Sequence, residues 1–163
     1  MKVLVTGRSG FIGVALDHYL RRVALDIEIH GFNRRDGGDI NNIRDVINAC
    51  YGMDLVINLA ALSHVDFSWV RPFDYYQTNA IGAINVMEAC KILNIPLIHI
   101  STSEVYGTNQ NPGVPMTENH PLKPHYPYSE AKAMADMAAQ NRIAIGQKIV
   151  VLRPFNQYGS GSF

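Results

Sequence analysis

The chain has 163 residues, of which 47% are hydrophobic and 17% charged, and its 14 basic residues balance its 14 acidic ones. This composition is typical of one globular domain, and the balanced charge gives no field that would attract nucleic acid or an anionic membrane, so neither partner is expected. The sequence begins with a strand-like apolar pattern and has no apolar run of about 18 residues or more, which favours a cytoplasmic protein. Cys50 and Cys90 have no His or Cys nearby at metal-ligand spacing, so we expect core thiols and no metal site.

Apolar runs of strand length alternate with segments of helical periodicity along the chain. This alternation is typical of βαβ units and predicts an α/β fold with a doubly wound parallel sheet. The predicted strands are residues 2–6, 27–32, 55–59, 97–101 and 149–153, with a very short additional strand that ends at Asp39 and Ile40. The predicted helices are residues 10–22, 43–51, 76–93 and 126–145. Two loops, an aromatic one around Pro72 and a Pro-rich one at residues 107–127, leave the carboxyl ends of strands, where such sheets bind ligands.

The first predicted strand is followed by the glycine-rich run TGRSGFIG, residues 6–13. In this position one glycine permits a tight turn, one lets backbone N–H groups approach a pyrophosphate, and one permits close packing of helix on strand. The run therefore predicts a dinucleotide-binding loop, although an ordinary turn between strand and helix is the alternative. The predicted cofactor contacts in it are Gly7, Ser9, Gly10, Phe11, Ile12 and Gly13.

The second predicted strand ends in the sequence Phe32, Asn33, Arg34, Arg35. A site that prefers NAD usually has an acidic residue here for the ribose hydroxyls, and this chain has none. Two guanidinium groups suit a 2′-phosphate, so Asn33, Arg34 and Arg35 are predicted cofactor contacts and NADP is favoured over NAD. Solvated loop charges are the alternative for the two arginines.

Two later segments are predicted to contact the same cofactor. Asp39 and Ile40 are expected beside the adenine, with Asp39 accepting from the exocyclic amine, and a helix N-cap is an equal alternative. The segment NLAALS, residues 58–63, has small side chains that let ribose and phosphates lie against backbone. Its predicted contacts are Leu59, Ala60 and Ala61.

A hydroxyl-rich segment, STSEVYG, follows the strand at residues 97–101, and YSEAK opens the last predicted helix. Tyr128 and Lys132 are one helical turn apart on one face, so the ammonium can hold the pKa of the phenol well below its ordinary value of about 10. A phenolate base would then be available near neutral pH. The alternative, a surface pair of side chains, is less specific than a pair that follows a glycine loop and a hydroxyl-rich strand end.

The motifs occur in the order TGRSGFIG, DI, NLAA, STSEVYG, PYSEAK and LRPFNQYG, which resembles the extended short-chain dehydrogenase/reductases that modify nucleotide-linked sugars. The resemblance spans essentially the whole chain. It implies a Rossmann-type domain over residues 1–163, incomplete at its carboxyl end and without the C-terminal substrate domain. It also implies a homodimer in which the helices from Asn79 and Tyr128 pair across a two-fold axis. Burial of these helices against their own sheet is the alternative.

The resemblance also implies residue roles. Tyr128 matches the catalytic base, and Lys132 the lysine that lowers its pKa and binds the nicotinamide ribose. Thr102 matches the hydroxyl that bridges Tyr128 and the 4-hydroxyl of the sugar, and Glu104 matches the base that removes the C5 proton in dehydratases. Ser103 stands where many dehydratases of deoxythymidine-linked sugars have Asp and GDP-mannose dehydratases have a Ser-type residue. The other implied contacts are Asn79, Ser101 and Pro154 with the cofactor, Phe155 at the nicotinamide, and Asn156 with substrate.

The implied reaction is an internal redox cycle through a 4-keto sugar. Glu104 favours a nucleotide-sugar 4,6-dehydratase over a 4-epimerase, which more often has a non-acidic residue there, and leaves a uronate decarboxylase as a further alternative. From another class, the chain could be a cofactor-binding fragment without turnover. Since sugar selection in the family depends on a C-terminal domain, we expect little or no turnover from these 163 residues alone.

Overall fold

Short runs rich in branched aliphatic residues form five parallel strands in the computed structural model, which describes residues 1–24, 26–111 and 113–159. The strands are β1 Lys2–Thr6, β2 Glu28–Phe32, β3 Leu55–Asn58, β4 Leu97–Ile100 and β5 Ile149–Leu152. Their order in the sheet is β2-β1-β3-β4-β5. The chain therefore winds outward in opposite directions from β1 and β3, and this switch point opens a crevice at their carboxyl ends. The predicted doubly wound parallel sheet is confirmed.

Helices connect the strands and begin at recognisable signals. The α-helices are α1 Phe11–Val23, α2 Ile43–Cys50, α3 Val65–Val70, α4 Pro72–Tyr75, α5 Ala83–Ile92 and α6 Pro127–Ala144. A π-helical turn, Tyr76–Gly82, leads into α5, and 3-10 turns cover Arg34–Asp36 and Ser103–Tyr106. The side chain of Asn42 caps α2 by accepting from the N–H of Arg44 at 3.1 Å. Helix α6 begins with Pro127, where a missing N–H costs no helical hydrogen bond.

The main core lies between the sheet and helices α2, α5 and α6. Leu4, Val56 and Leu97 from three strands pack there with Val46 of α2 and Met87 of α5, and each is almost fully buried. Burial of one such side chain stabilises the fold by roughly 1.5–3 kcal/mol. The two cysteines are also buried in this core as free thiols, as predicted. Among the described residues, no helix is long and apolar enough to cross a lipid bilayer.

Two sequence-based expectations about elements are wrong. No strand ends at Asp39 and Ile40, because the carboxylate of Asp39 accepts from the N–H of Asn41 at 3.0 Å and closes a local turn. Asp39 does not cap a helix either, since Asn42 has that role. The aromatic segment around Pro72 forms α3 and α4 instead of a loop, because Pro72 occupies the first turn of α4, where proline is favourable.

Candidate active site

A cleft of about 650 Å³ lies along the carboxyl ends of β1, β3, β4 and β5. Its volume is in the range of sites that bind cofactors and other small molecules. Of the predicted site residues, those that line it are Gly7, Gly10, Phe11, Ile12, Gly13, Leu59, Ala61, Ser101, Thr102, Tyr128, Lys132, Pro154, Phe155 and Asn156. The sheet thus brings together segments that are far apart in the sequence.

The glycine loop forms one end of this cleft. Gly7 has a φ of +68°, and its N–H donates to the carbonyl of Phe32 at 3.0 Å. A Cβ on Gly7 would lie 2.8 Å from the backbone of Ala60, and one on Gly13 would lie 2.5 Å from the carbonyl oxygen of Arg8. Only glycine fits at these two positions. No side chain therefore covers the backbone of these glycines at the N-terminus of α1, where a helix favours an anion.

A network of buried polar side chains, which was not predicted from the sequence, crosses the three neighbouring strands β1, β3 and β4. The hydroxyl of Thr6 donates to Asn58 at 2.5 Å and accepts from the N–H of Ala60 at 3.2 Å. The amide of Asn58 lies 3.2 Å from Nδ1 of His99, and burial lowers the pKa of His99 to about 3. A neutral imidazole can accept this bond from the Asn58 amide. The network therefore holds Thr6, and the hydroxyl of Thr6 holds the backbone of Ala60 beside Gly7. The shared register of Thr6, Asn58 and His99 is visible only once the strands are paired.

The carboxyl end of β2 has polar and basic side chains outside the cleft. Oδ1 of Asn33 accepts from both the N–H and the hydroxyl of Ser9, each at 3.2 Å. Arg34 is 67% exposed and reaches Asp39 only at 3.8 Å, and Arg35 is also exposed. Both guanidinium groups are therefore accessible to an anion. Arg8, which was not predicted as a contact, instead makes two bonds of 3.1 Å to Asp17.

The catalytic candidates meet where α6 faces the end of β4. Lys132 is buried, and its Nζ donates to the carbonyl of Ile100 at 2.5 Å. The side chains of Thr102 and Tyr128 are hydrogen-bonded to each other. The Tyr128 ring lies between two others, edge-to-face with Tyr75 and stacked on Tyr126, with both pairs of ring centroids 6.4 Å apart. These contacts hold the phenol of Tyr128 at the cleft.

The pKa shifts of Tyr128 and Lys132 differ from the expectation. Burial raises the pKa of Tyr128, the hydrogen bond from Thr102 opposes this, and the carboxylate of Glu104 raises the pKa further. Burial also lowers the pKa of Lys132 to about 8, against the opposing effect of the Asp136 carboxylate. The expected lowering of the phenol pKa by Lys132 is therefore wrong for this arrangement. Desolvation of both groups outweighs a benefit that helical spacing alone suggests.

Glu104 and Ser103 lie in the 3-10 turn Ser103–Tyr106 and do not line the cleft. The carboxylate of Glu104 accepts a hydrogen bond from the hydroxyl of Tyr126, whose pKa is raised by burial and by Glu104. The N–H of Ser103 donates to the carbonyl of Pro154 at 3.0 Å. The charge of Glu104 nevertheless acts on the phenol of Tyr128, so the two side chains are within electrostatic reach of one another.

Asn79 lies outside the cleft and positions one of its walls. Its amide oxygen accepts from the N–H of Leu62 at 2.8 Å, and its amide nitrogen donates to the carbonyl of Leu62 at 2.9 Å. The side chain is 1% exposed and both of its ends bind backbone. The structure thus shows Asn79 holding the segment after β3, while its predicted contact with a cofactor stays a prediction.

The residues that line the cleft differ in part from those predicted. Predicted contacts that do not line the cleft are Ser9, Asn33, Arg34, Arg35, Asp39, Ile40, Ala60, Asn79, Ser103 and Glu104. Ile40 is buried, and its carbonyl accepts from Asn85 at 3.0 Å. Residues that line the cleft without having been predicted are Ser63, His64, Ile100 and Gln157. The available signal was that Ser63 is the last residue of the small-residue segment at the end of a strand and that His64 directly follows it.

Comparison with known proteins identifies relatives over the whole chain. The NAD dependent epimerase/dehydratase family matches residues 3–163. A dTDP-glucose 4,6-dehydratase of Mycobacterium tuberculosis is 33% identical over 180 residues, covering 98% of this chain and 54% of the relative. The chain thus spans about half the length of the curated relatives it matches.

Solved structures with the same fold include complexes with two nicotinamide cofactors. The dTDP-glucose 4,6-dehydratase of Bacillus anthracis in complex with NAD has a TM-score of 0.85 and 30% identity, covering 98% of this chain and 56% of that chain. RMD of Pseudomonas aeruginosa complexed with NADPH has a TM-score of 0.84 and 28% identity, covering 99% of this chain and 56% of that chain. The similarity therefore extends to a protein bound to NAD and to one bound to NADPH.

Proposed function

The chain belongs to the NAD dependent epimerase/dehydratase family, and from this premise we propose that it is the cofactor-binding part of a nucleotide-sugar 4,6-dehydratase. The observation that carries the proposal is the grouping of Thr102, Tyr128 and Lys132 in one cleft with the glycine loop. The carboxylate of Glu104 acts on the same phenol. An acidic residue at this position favours a dehydratase over a 4-epimerase, and a uronate decarboxylase is the alternative that it does not separate. Residues 1–163 would form one dinucleotide-binding domain.

The cleft suits a nicotinamide dinucleotide. Gly7 and Gly13 leave no room for a Cβ, so the backbone of the loop can approach a pyrophosphate at the N-terminus of α1. Lys132 can donate to ribose hydroxyls at the other end of the cleft. The exposed Arg34 and Arg35 support NADP over NAD, because guanidinium groups bind a 2′-phosphate in paired hydrogen bonds.

In the proposed reaction the chain supplies the proton transfers, and a bound nicotinamide would supply the hydride acceptor and donor. Tyr128 takes the proton of the sugar 4-hydroxyl, either directly or through Thr102, as C4 is oxidised to a ketone. Glu104 removes the C5 proton, which the ketone has made acidic, and passes it to the C6 hydroxyl, which leaves as water. C6 then takes up the returned hydride, and C5 takes up a proton. The hydrogen bond from Thr102 is the contact in this site that favours the phenolate form of Tyr128.

A second function applies to the 163 residues by themselves. The chain spans about half of its curated relatives, so we propose that it binds the cofactor without converting a nucleotide sugar. Incubation with dTDP-glucose and cofactor should give little or no 4-keto product. Robust conversion of dTDP-glucose by the chain alone would contradict this second proposal and would support the dehydratase assignment.

Titration with nicotinamide cofactors tests the proposed cofactor site. We expect NADPH to bind more tightly than NADH, and the double variant Arg34→Ala, Arg35→Ala to lose most of this preference. Arg22→Ala, which removes an exposed guanidinium at the end of α1, is the matched control and should keep it. A chain that binds neither cofactor contradicts the proposed function, and tighter binding of NADH contradicts the role of the two arginines.

A further inference from the structure

The carboxylate of Asp136 on α6 is fully buried and accepts four hydrogen bonds. Arg153 donates through Nε and Nη2, each at 2.8 Å, while the hydroxyl of Ser101 and the amide of Gln140 each donate at 2.6 Å. Burial raises the pKa of this carboxyl, but the bonds from Arg153, Ser101 and Gln140 outweigh burial, and the pKa lies below its ordinary value. Asp136 is therefore ionised at neutral pH and has its lone pairs occupied.

The partners of Asp136 belong to different walls of the cleft. Ser101 follows β4 and lines the cleft. Arg153 follows β5 and directly precedes Pro154, Phe155 and Asn156, which line it as well. A bidentate pair fixes the plane of the guanidinium and therefore fixes the start of this segment. One carboxylate thus joins the ends of two neighbouring strands to α6.

The network continues to the turn that carries Glu104. Nη1 of Arg153 donates to the hydroxyl of Tyr106 at 2.7 Å and to the carbonyl of Glu118 at 2.9 Å, and its guanidinium lies 5.0 Å from the centre of the Tyr106 ring. Tyr106 closes the 3-10 turn that contains Glu104. The same arginine therefore ties the turn of a proposed catalytic residue to β5.

Asp136 is also one helical turn after Lys132. Burial lowers the pKa of Lys132 to about 8, and the Asp136 carboxylate opposes this effect. From β4, the imidazole of His99 faces the same ammonium but is neutral, because burial lowers its pKa to about 3. From β5, the charge of Arg153 is directed at Asp136 itself. The carboxylate of Asp136 is thus the negative charge that favours the protonated form of Lys132.

We propose that Asp136 is a positioning residue for the cofactor site, which ties α6 to the ends of β4 and β5 and places a negative charge beside Lys132. This inference rests on the proposed function, because it assumes that Lys132 binds the cofactor. It assigns to Asp136 no contact with substrate or cofactor. The charge acts on Lys132, and the hydrogen bonds act on Ser101 and Arg153.

The test is the binding of NADPH to the chain between pH 6 and pH 9.5, measured by nicotinamide fluorescence. Binding by the unaltered chain should weaken as the pH rises through the Lys132 pKa of about 8. In Asp136→Asn this weakening should occur at lower pH, and the affinity at pH 8 should fall roughly tenfold or more. Arg153→Lys keeps the carboxylate, so it should weaken binding at every pH without moving the midpoint. Gln140→Ala removes one hydrogen bond to Asp136, and this bond lies within α6 and joins no strand. The affinity of this variant should stay within about twofold of that of the unaltered chain.

A merely structural role would leave the midpoint of the pH profile in place. A folded Asp136→Asn variant with the affinity and pH profile of the unaltered chain therefore overturns the inference. In a Lys132→Met background, Asp136→Asn should produce no further change of the pH profile, and a persisting change also counts against it. If Asp136→Asn does not fold, Arg153→Lys and Ser101→Ala decide, since both must weaken binding more than Gln140→Ala does.

Failure of the proposed function can be distinguished from failure of the inference about Asp136. If the unaltered chain binds neither NADPH nor NADH, the proposed function fails, and NMR titration of the Lys132 ammonium still tests the charge effect. A Lys132 pKa that falls in Asp136→Asn and is unchanged in Gln140→Ala supports the electrostatic part of the inference. An unchanged Lys132 pKa in Asp136→Asn overturns it.

Discussion

At Gly7 a backbone constraint and a steric constraint coincide, and they can be separated by comparison with Gly37. Both residues have positive φ, +68° and +85°, but a Cβ at Gly7 would meet Ala60 at 2.8 Å, whereas a Cβ at Gly37 would meet nothing within 4 Å. Gly37→Ala should therefore cost about 1 kcal/mol, the strain of the left-handed conformation alone. Gly7→Ala should cost roughly 2–4 kcal/mol and weaken NADPH binding, because Ala60 must also move. Urea unfolding monitored by Trp69 fluorescence measures both losses, and equal losses would contradict the steric argument.

Lys132 should make stability depend on alkaline pH. Its pKa is about 8 in the folded chain, against an ordinary value of 10.5, so the unfolded state binds more protons between these values. Stability therefore rises with pH over this window, and the cost of burying the charge is fully present below pH 8. The difference in unfolding free energy between Lys132→Met and the unaltered chain should change by about 3 kcal/mol from pH 7.5 to pH 10.5.

The exposed Lys91 provides the control for this measurement. Lys91→Met removes an ammonium that is more than half exposed, so its difference from the unaltered chain should stay flat over the same pH range. Each variant changes a single lysine, so the remaining titratable groups are the same in all three proteins. A flat difference for Lys132→Met as well would show that Lys132 is not desolvated in the folded chain.

At the scale of elements, the π-helical turn Tyr76–Gly82 positions the loop after β3 through Asn79. Asn79→Ala removes both bonds to Leu62 and leaves its N–H and carbonyl without those partners, which should cost about 2–4 kcal/mol. The matched variant Asn85→Ala removes a single bond, from Asn85 to the carbonyl of Ile40, and should cost about 1 kcal/mol. Hydrogen exchange should show faster exchange of the Leu62 amide in Asn79→Ala only. Unchanged protection of that amide would mean that other contacts hold the loop.

Periodicity predicted the strands and the long helices because their apolar faces repeat over several residues. Strand β1 was predicted with its observed bounds, and α6 differs by one residue at each end. Short elements carry too few residues for a period, so α3 and α4 were missed, and a strand was wrongly predicted at Asp39. In the site, spacing indicated the pairing of Tyr128 with Lys132, but desolvation depends on what surrounds a side chain. The spacing of the two residues therefore could not predict the effect of burial on their pKa values.

On the scale of the whole molecule, the surface has an apolar groove separate from the cleft. This groove has a volume of about 510 Å³, and its lining residues are Tyr76, Leu122, Pro124, Glu130, Ala133, Met134 and Met137. Met134 and Met137 are 48% and 56% exposed on α6, and Ile81 in the preceding π-helical turn is 45% exposed. Neighbouring exposed apolar side chains of this kind mark interaction surfaces in soluble folds. The groove is lined by α6, by Tyr76 at the start of the π-helical turn and by two residues of the Pro-rich loop. Helix α6 is one of the two helices that the family resemblance implies at a dimer interface.

We propose that the chain forms a homodimer through this groove. Met137→Glu places a charge on the apolar face of α6, and burial of an unpaired carboxylate at an interface is strongly unfavourable, so this variant should be monomeric. Val23→Glu is the matched control, since Val23 is 57% exposed at the end of α1, outside the groove, and this variant should remain dimeric. Sedimentation equilibrium at micromolar concentration, where the unaltered chain should be a dimer, measures the mass of all three proteins. A monomeric unaltered chain contradicts the proposal, and dissociation by both variants would place the interface elsewhere.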